Sequence, residues 1–435
     1  MHIVIIGNGI TGITTARHLR KHSDHEITVI SSESKFFFSR TALMYIYMGH
    51  MKFEHTKPYE DWFWKKNRIN LVHAHVDNID FEKKQCWLNN KERISYDKLV
   101  IASGSKPNNI GISFQKIKGA QGLYSMQDLE LMEQNTKGIS RAVIVGGGLI
   151  GIEMAEMLHS RGIHVTFLVM EKSYWNNVLP WEESQMITRH IRHHGIEVKL
   201  ETQLFNIQQN DRGRVRAVVT DQDEEISCEF LGVTAGVSPN VDFIRNSDVD
   251  TSRGILVNEY LETSASDVYA AGDCAEFRNP VPGQMRIEQL WYTGKMQGEV
   301  LAQNLLGNRT AYNRGIWFNS AKFLNIEYQT YGQVPSVFPQ SLDSLFWANE
   351  QEEKCIRIVY DKENMSVRGF NLLGIRYRHE VCERWISEQR KVHEVLTHLR
   401  EANFDPEFFR RYEKEMTAQF EKEIHSKSKS ESTLV

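Results

Sequence analysis

The 435-residue chain contains no CxxC or CxxxxC pair, and its five cysteines (Cys86, Cys228, Cys274, Cys355 and Cys382) are scattered and odd in number. That spacing argues against a disulfide framework and against zinc ligation, so reduced thiols in a cytoplasmic compartment and no bound metal are expected. Long apolar runs are missing too. None approaches the roughly 20 residues of a membrane span, so no transmembrane segment is expected. The apolar opening His2-Ile3-Val4-Ile5-Ile6 lacks the basic leader of a signal peptide and reads as a strand. Nor is there an excess of positive charge: a formal net charge of −4 offers no footprint for nucleic-acid phosphates and removes that class of partner. What remains is an ordinary globular composition, 41% hydrophobic and 25% charged. The chain is long enough for about three domains at roughly 150 residues each.

Two segments carry the chemistry. The strand at residues 2–6 runs into Gly7-Asn8-Gly9-Ile10-Thr11-Gly12 and then a helical stretch. The first glycine makes the turn, the second admits a pyrophosphate to the backbone N–H groups, and the third lets helix and strand pack closely. The helix N-terminus then holds the anion. A second strand, Glu26 to Ile30, leads to Glu33, an acceptor for ribose hydroxyls at the expected spacing. The unit recurs: the strand Ala142 to Val145 precedes Gly146-Gly147-Gly148-Leu149-Ile150-Gly151, followed by a helix from Ile152 to Ser160. Two complete units predict two dinucleotide sites.

Three further segments stand between and after these motifs: Ala102-Ser103-Gly104-Ser105-Lys106-Pro107, the stretch from Gly232 to Asn240 that includes Gly236, and Val268 to Ala275 with Gly272-Asp273. In this order the five segments resemble the pyridine nucleotide-disulfide oxidoreductase superfamily, in its ferredoxin reductase and NADH oxidase-like branch lacking the redox cysteine, over residues 1 to about 310. The resemblance implies an α/β fold with two Rossmann-like domains and an α+β carboxy-terminal interface domain. FAD binding is expected on residues 1–112 and 241–312, NAD(P)H binding on 113–240, a dimerisation domain at 313–425 and a flexible tail at 426–435. It further implies that Gly7, Gly9, Ile10, Thr11, Gly12 and Glu33 hold FAD together with Ser39, Arg40, Val76, Ala102, Ser103, Gly104, Gly236, Gly272 and Asp273. Gly146, Gly148, Leu149, Ile150 and Gly151 are then expected to hold NADH or NADPH. Read from the sequence alone, Asp273 is also a plausible helix N-cap. The segment Trp291 to Gly298 resembles the tryptophan and QG segment of ferredoxin reductases, which makes Trp291 a stacking surface beside the cofactors; its plainer reading is a core-filling indole.

Members that reduce disulfides use a thiolate beside the flavin. That place falls on Thr41 or Ala42, in Phe38-Ser39-Arg40-Thr41-Ala42-Leu43-Met44-Tyr45, and neither side chain can form a covalent sulfur intermediate. The lysine of the related segment is Tyr45, while its glutamate partner survives as Glu153. These two are the catalytic candidates, with Glu153 alternatively a first-turn acid complementing its helix dipole. Without the lysine, a partly desolvated Glu153 shifts towards the protonated form. The acid that would read the nicotinamide ribose falls on Val169, with Glu171 two residues later; Glu171 facing the ribose favours NADH, and Lys172 facing it favours NADPH.

Past a β-rich stretch at 316–375, one amphipathic helix is expected over Val381 to Leu399 and a second through Phe408, Phe409, Tyr412, Met416 and Phe420. Their apolar stripes fit a core, a second subunit or a membrane surface; five acids and five bases over 407–427 give no pull towards anionic lipid. Arg376, Arg378 and His379 form a small basic cluster that would suit an acidic partner or simply face solvent. The leading function is an FAD-dependent NAD(P)H oxidoreductase that passes electrons to a redox protein such as a ferredoxin or rubredoxin, as a homodimer. A diaphorase-like NADH oxidase or quinone reductase and a redox-sensing FAD/NADH-binding protein are the alternatives.

Overall fold

A computed structural model describes residues 1–404 and 410–432, with 425–432 described by backbone alone. The chain divides into two compact units, one made of Met1–Ile139, Gln209–Val215 and Glu229–Arg314, the other of Ser140–Gln208, Arg216–Cys228 and Gly315–Val435.

In the first unit β1 (His2–Ile6), α1 (Ile10–His22) and β2 (Glu26–Ser31) are followed by the short helices α2 (Leu43–Tyr47) and α3 (Asp61–Lys66), then β3 (Ile69–His73) and β4 (Lys98–Ile101). A five-stranded parallel sheet results, in the order Val268–Ala270, β4, β1, β2, β3. Its strands are continuous apolar runs because both faces are covered: Ile3, Val4, Ile5, Leu99, Val100 and Ile101 are all fully buried. The helix Trp291–Leu305 packs on α1 through glycine: a Cβ at Gly298 would lie 2.6 Å from the Thr11 carbonyl oxygen.

The second unit begins with the same βαβ logic. Strands β5 (Arg141–Val145), β6 (His164–Leu168) and β7 (Glu197–Lys199) are parallel, with α4 (Leu149–Ser160) and α5 (Trp181–His193) as crossovers. It continues into a five-stranded antiparallel sheet of β8 (Phe318–Phe323), β9 (Ile326–Gly332), β10 (Leu342–Ala348), β11 (Cys355–Asp361) and β12 (Val367–Leu373), ordered β8-β9-β12-β11-β10. The α/β class with parallel nucleotide-binding sheets and a mixed carboxy-terminal part is therefore observed.

Two expectations change in the carboxy-terminal part. The single amphipathic helix over Val381 to Leu399 is two helices, His379–Ser387 and Val392–Ala402, broken where Gln389 takes a φ of 52°. The apolar positions keep one helical phase across the break, which arises instead because Arg390 and Val392 exchange backbone hydrogen bonds with Val367 and Met365 and so leave the helix. The last helix, α6 (Glu413–Ser432), runs well into the segment expected as a flexible tail, as its Glu, Lys and Gln content favours; residues 433–435, like Phe408 and Phe409, lie outside the described residues. Val381, Trp385, Leu399, Met416 and Phe420 are all buried in one core with β10, β11 and β12, so these stripes pack on their own unit. Among the described residues no helix is long and apolar enough to cross a membrane.

A buried ion pair ties α5 to the antiparallel sheet. Arg357 on β11 donates from Nε and Nη2 to the two carboxylate oxygens of Glu183 at 2.7 and 2.8 Å, and Nη2 also reaches Glu182 at 2.7 Å. Arg357 and Glu183 expose 4% and 0% of their side chains, whereas Glu182 exposes 50%. Removing one partner of such a pair strands the other's charge away from water. Glu183→Ala is therefore expected to lower unfolding stability by about 3–5 kcal/mol and Glu182→Ala by less than about 1 kcal/mol, as read from denaturant midpoints.

Candidate functional site

The turn after β1 has the geometry a pyrophosphate needs. Gly7 sits at φ 108°, where a Cβ would lie 2.0 Å from the Ala102 carbonyl oxygen, so the turn and the Ala102 segment meet in a way no other residue allows. A Cβ at Gly9 would meet nothing within 4 Å, leaving the approach to the start of α1 open. No side chain caps that helix and no acid stands in its first turn, so its N–H groups and positive dipole end remain for an anion. Ile10 is half-buried and Thr11 buried beneath the turn.

Glu33, just past β2, is more committed than its expected ribose role suggests. Arg40 donates to both of its oxygens, at 2.9 and 2.5 Å, and the Met126 N–H donates to Oε1 at 3.0 Å. A carboxylate has about four acceptor positions, so one direction on Oε2 is left for a hydroxyl. Arg40 also donates to the Tyr124 carbonyl at 2.5 Å and lies 4.5 Å over its ring. The Arg40–Glu33 clasp fixes the loop carrying Ser39, whose hydroxyl contacts that of Thr41 at 3.1 Å.

Ser103 and Gly104 are held against the segment after Gly236. The Ser103 hydroxyl donates to the Asn240 carbonyl at 2.7 Å, the Asn240 N–H donates to Gly104, and the strands Ser105–Pro107 and Val237–Pro239 pair. Asp273 accepts from the Ser105 hydroxyl at 2.9 Å, and Gln289 donates to that same hydroxyl at 2.7 Å. Burial lifts the Asp273 carboxyl above its usual range, opposed by Ser105 and Arg40. The N-cap reading of Asp273 is not realised, because Ala271 occupies the cap position of its short turn. Cys274 is buried, with its thiol directed to the Ile101 and Ala271 carbonyls, a packing role. Val76 is buried at the head of a three-stranded meander and shares the unit's apolar core with Ile6, Ala102 and Ala271.

Behind Gly272 lies a network that the sequence did not announce. The Gly272 N–H donates to Gln297 Oε1 at 2.7 Å, and Gln297 Nε2 reaches Glu288 at 3.4 Å. Glu288, fully buried, also accepts from the Tyr312 hydroxyl at 2.8 Å and Arg314 at 3.1 Å. Only the QG pair at Gln297-Gly298 hinted at it. Trp291, at the start of its helix, is half-buried and stacks on Phe37 with centroids 6.0 Å apart, so it is more exposed than a core-filling indole. Tyr45, half-buried on α2, stacks on His50 at 6.1 Å.

In the second unit Gly146 takes φ 113°, and a Cβ at Gly148 would meet nothing within 4 Å. Leu149 and Ile150 open α4 without a side-chain cap, and Gly151 is buried. The fully buried Tyr174 donates its hydroxyl to the Gly148 carbonyl at 2.8 Å, bracing the turn from behind. Val169 is buried against Gly147, while Glu171 turns its carboxylate to the same glycine, 3.7 Å from where a Cβ would stand. Glu153 lies beyond the first turn of α4, which overturns its reading as a first-turn acid. Its carboxyl is pushed up to about 7, first by burial and then by neighbouring Glu156, which Lys322 holds at 2.7 Å. Two members of the carboxy-terminal basic cluster have acidic neighbours within the unit: Arg376 grips Glu327, and His379 lies 3.3 Å from Glu383. All five cysteines are buried and none forms a disulfide.

Both turns thus match a dinucleotide phosphate in backbone conformation, open approach and free helix N-terminus. The sequence model of the pyridine nucleotide-disulphide oxidoreductases matches residues 1–298. The chain belongs to that family. It is 29% identical over 372 residues to the NADH-rubredoxin oxidoreductase of Clostridium acetobutylicum, covering 83% of this chain and 88% of that one. It is 28% identical over 386 residues to the rubredoxin-NAD(+) reductase of Acinetobacter baylyi, covering 86% and 94%. Among solved structures, a ferredoxin reductase from Rhodopseudomonas palustris superposes with a TM-score of 0.78 at 22% identity, over 86% of this chain and 91% of that one, a likeness of fold. As an oxidoreductase of this family the chain carries no dithiol.

Because Glu153 holds a proton in the folded chain at pH values where the unfolded chain has released it, stability falls as pH rises from about 4.5 to about 7. Glu153→Gln is expected to remove that component. Urea midpoints at pH 5 and pH 8 should then differ less in the variant than in the parent chain.

Proposed function

We propose that the chain is an NADH-oxidising flavoprotein that passes electrons singly to a small redox protein. The observation that carries this reading is the pair of open, uncapped glycine turns combined with threonine and alanine where a thiol would stand. The names of the curated relatives support it. FAD, when bound, supplies a two-electron acceptor that can return electrons one at a time. The Gly7 to Gly12 turn would hold its pyrophosphate, Glu33 Oε2 a ribose hydroxyl, and Asp273 with Gly104 its ribityl side. Gly146 to Gly151 would hold the nicotinamide nucleotide. Glu153, near neutrality, holds a proton at its carboxyl beneath that second turn, and Tyr45 with Trp291 would close the flavin side. Direct acid–base work is small in such a reaction, so the protein's contribution is alignment of the two rings. The same reading divides the chain at residues 113, 241 and 313, makes 313–425 a homodimer interface, and places the protein in a reducing cytoplasm, in keeping with five cysteines that form no disulfide.

The orientation of Glu171 towards Gly147 favours NADH, since a carboxylate near a ribose 2′-phosphate repels it by about 1–4 kcal/mol at ~4 Å. NADH is expected to exceed NADPH in kcat/KM by about tenfold or more, and Glu171→Gln to narrow the gap. A parent-chain preference for NADPH would remove Glu171 from the site. The function itself is tested by anaerobic NADH titration of the flavin-loaded protein, followed by an acceptor panel. Rapid bleaching with reoxidation by rubredoxin or ferredoxin supports the proposal; reoxidation by oxygen or quinone alone points to a diaphorase, and bleaching that no acceptor reverses points to a sensor. Protein that binds no flavin sinks the reading.

A further inference from the structure

The first unit carries an aromatic series that leads away from the indole proposed to close the flavin side, through rings to which no cofactor role is given. It starts at Trp291, stacked on Phe37 at 6.0 Å; Phe37 meets Tyr59 at 6.4 Å, and Tyr59 stacks on Phe63 of α3 at 4.7 Å. Next to Phe63 on the same helix, Trp62 is 60% exposed. Tryptophan is a costly side chain to leave in water and is enriched at the centres of protein interfaces.

Cations surround this shelf. Arg17 lies 4.6 Å over Tyr59, Lys66 5.2 Å over Trp62, and Lys35 5.4 Å over Phe36, with Lys65 on the same helix. Among the described residues none of these four has a carboxylate partner within ion-pair distance, whereas the nearby Lys57 is paired with Asp61. The face also carries the exposed acids Glu60 and Asp61, the latter paired with Lys57. Positive charge is thus concentrated around one exposed indole in a protein whose net charge is −4. By contrast, Arg376 and His379 of the carboxy-terminal cluster have acidic neighbours of their own.

We propose that the α3 face, centred on Trp62 and ringed by Arg17, Lys35, Lys65 and Lys66, is the docking surface for a small acidic iron–sulfur electron carrier. The inference rests on the electron-transfer reading above and says where the acceptor binds. Unpaired basic groups steer and orient an acidic partner, the indole supplies a desolvated anchor, and the rings from Phe63 to Trp291 give a continuous run of π systems leading inward. One NADH yields NAD+, a proton and two electrons; two oxidised carriers docking in turn each take one.

The test uses flavin-loaded protein and oxidised rubredoxin as the probe, with the dissociation constant measured calorimetrically at low and high ionic strength. Lys65→Glu combined with Lys66→Glu, and separately Trp62→Ala, should each weaken binding about tenfold or more in low salt. The charge-reversal effect should shrink once the Debye length falls to about 3 Å at 1 M salt. NADH bleaching and ferricyanide reduction should stay unchanged, since neither variant touches the glycine turns. Rubredoxin that binds the parent chain and both variants equally, or does not bind while bleaching is normal, overturns the docking proposal and leaves NADH oxidation standing. Absence of bleaching in the parent chain instead defeats the underlying reading.

Discussion

Three glycines close on Thr11, and the site in the first unit depends on that contact. Gly272, Gly294 and Gly298, from two distant stretches of chain, close on it so tightly that a Cβ at each would come within 2.5 to 2.8 Å of its hydroxyl or carbonyl oxygen. Because these contacts are backbone against Thr11, interiors packed to crystal density leave no slack to absorb a methyl group. The consequence is positional. The Gly7 turn, the Asp273 segment and the Trp291 helix are referred to one residue, so their spacing is set by van der Waals contact rather than by flexible side chains.

Polar groups behind the turn are held with equal economy. Glu288 is buried as an acid, which is tolerable only because Tyr312, Arg314 and Gln297 occupy its oxygens. Burial still lifts its carboxyl above the usual range. Arg40, half-buried, stays charged because Glu33 binds both arms of its guanidinium. These charges set the orientation of loops that secondary structure alone would leave free.

Much of this was legible in the sequence, and the boundary of legibility has a physical reason. Local motifs declared themselves: both glycine turns, the strands feeding them, and the missing thiol at Thr41 and Ala42 are patterns of adjacent residues. Partnerships across long separations were silent. Nothing near Glu33 says that Met126 and Arg40 would fill most of its acceptor positions, and nothing near Glu288 says that Tyr312 would reach it. The expected single helix over Val381 to Leu399 misled because its apolar residues keep one helical phase across Gln389, while the break follows from residues 390–392 pairing with 365–367, a contact no local pattern shows. Glu153 was placed in the first turn because the motif was read as starting the helix at Ile152; Leu149 begins it, and the acid falls one turn deeper.

The Arg357–Glu183 pair has a meaning beyond its energy. It joins a crossover helix of the nucleotide-binding strands to a sheet that is far removed in sequence, inside a single compact unit. Cutting the chain ahead of Gly315 to obtain a minimal nucleotide-binding fragment would remove Arg357 together with Tyr328 and Cys355 beside it, and so uncover the face of α5 that carries Glu183. The carboxy-terminal sheet is therefore both counter-ion and cover for the crossover helix, and a fragment ending at that junction would present to water a helix face that the whole chain keeps dry.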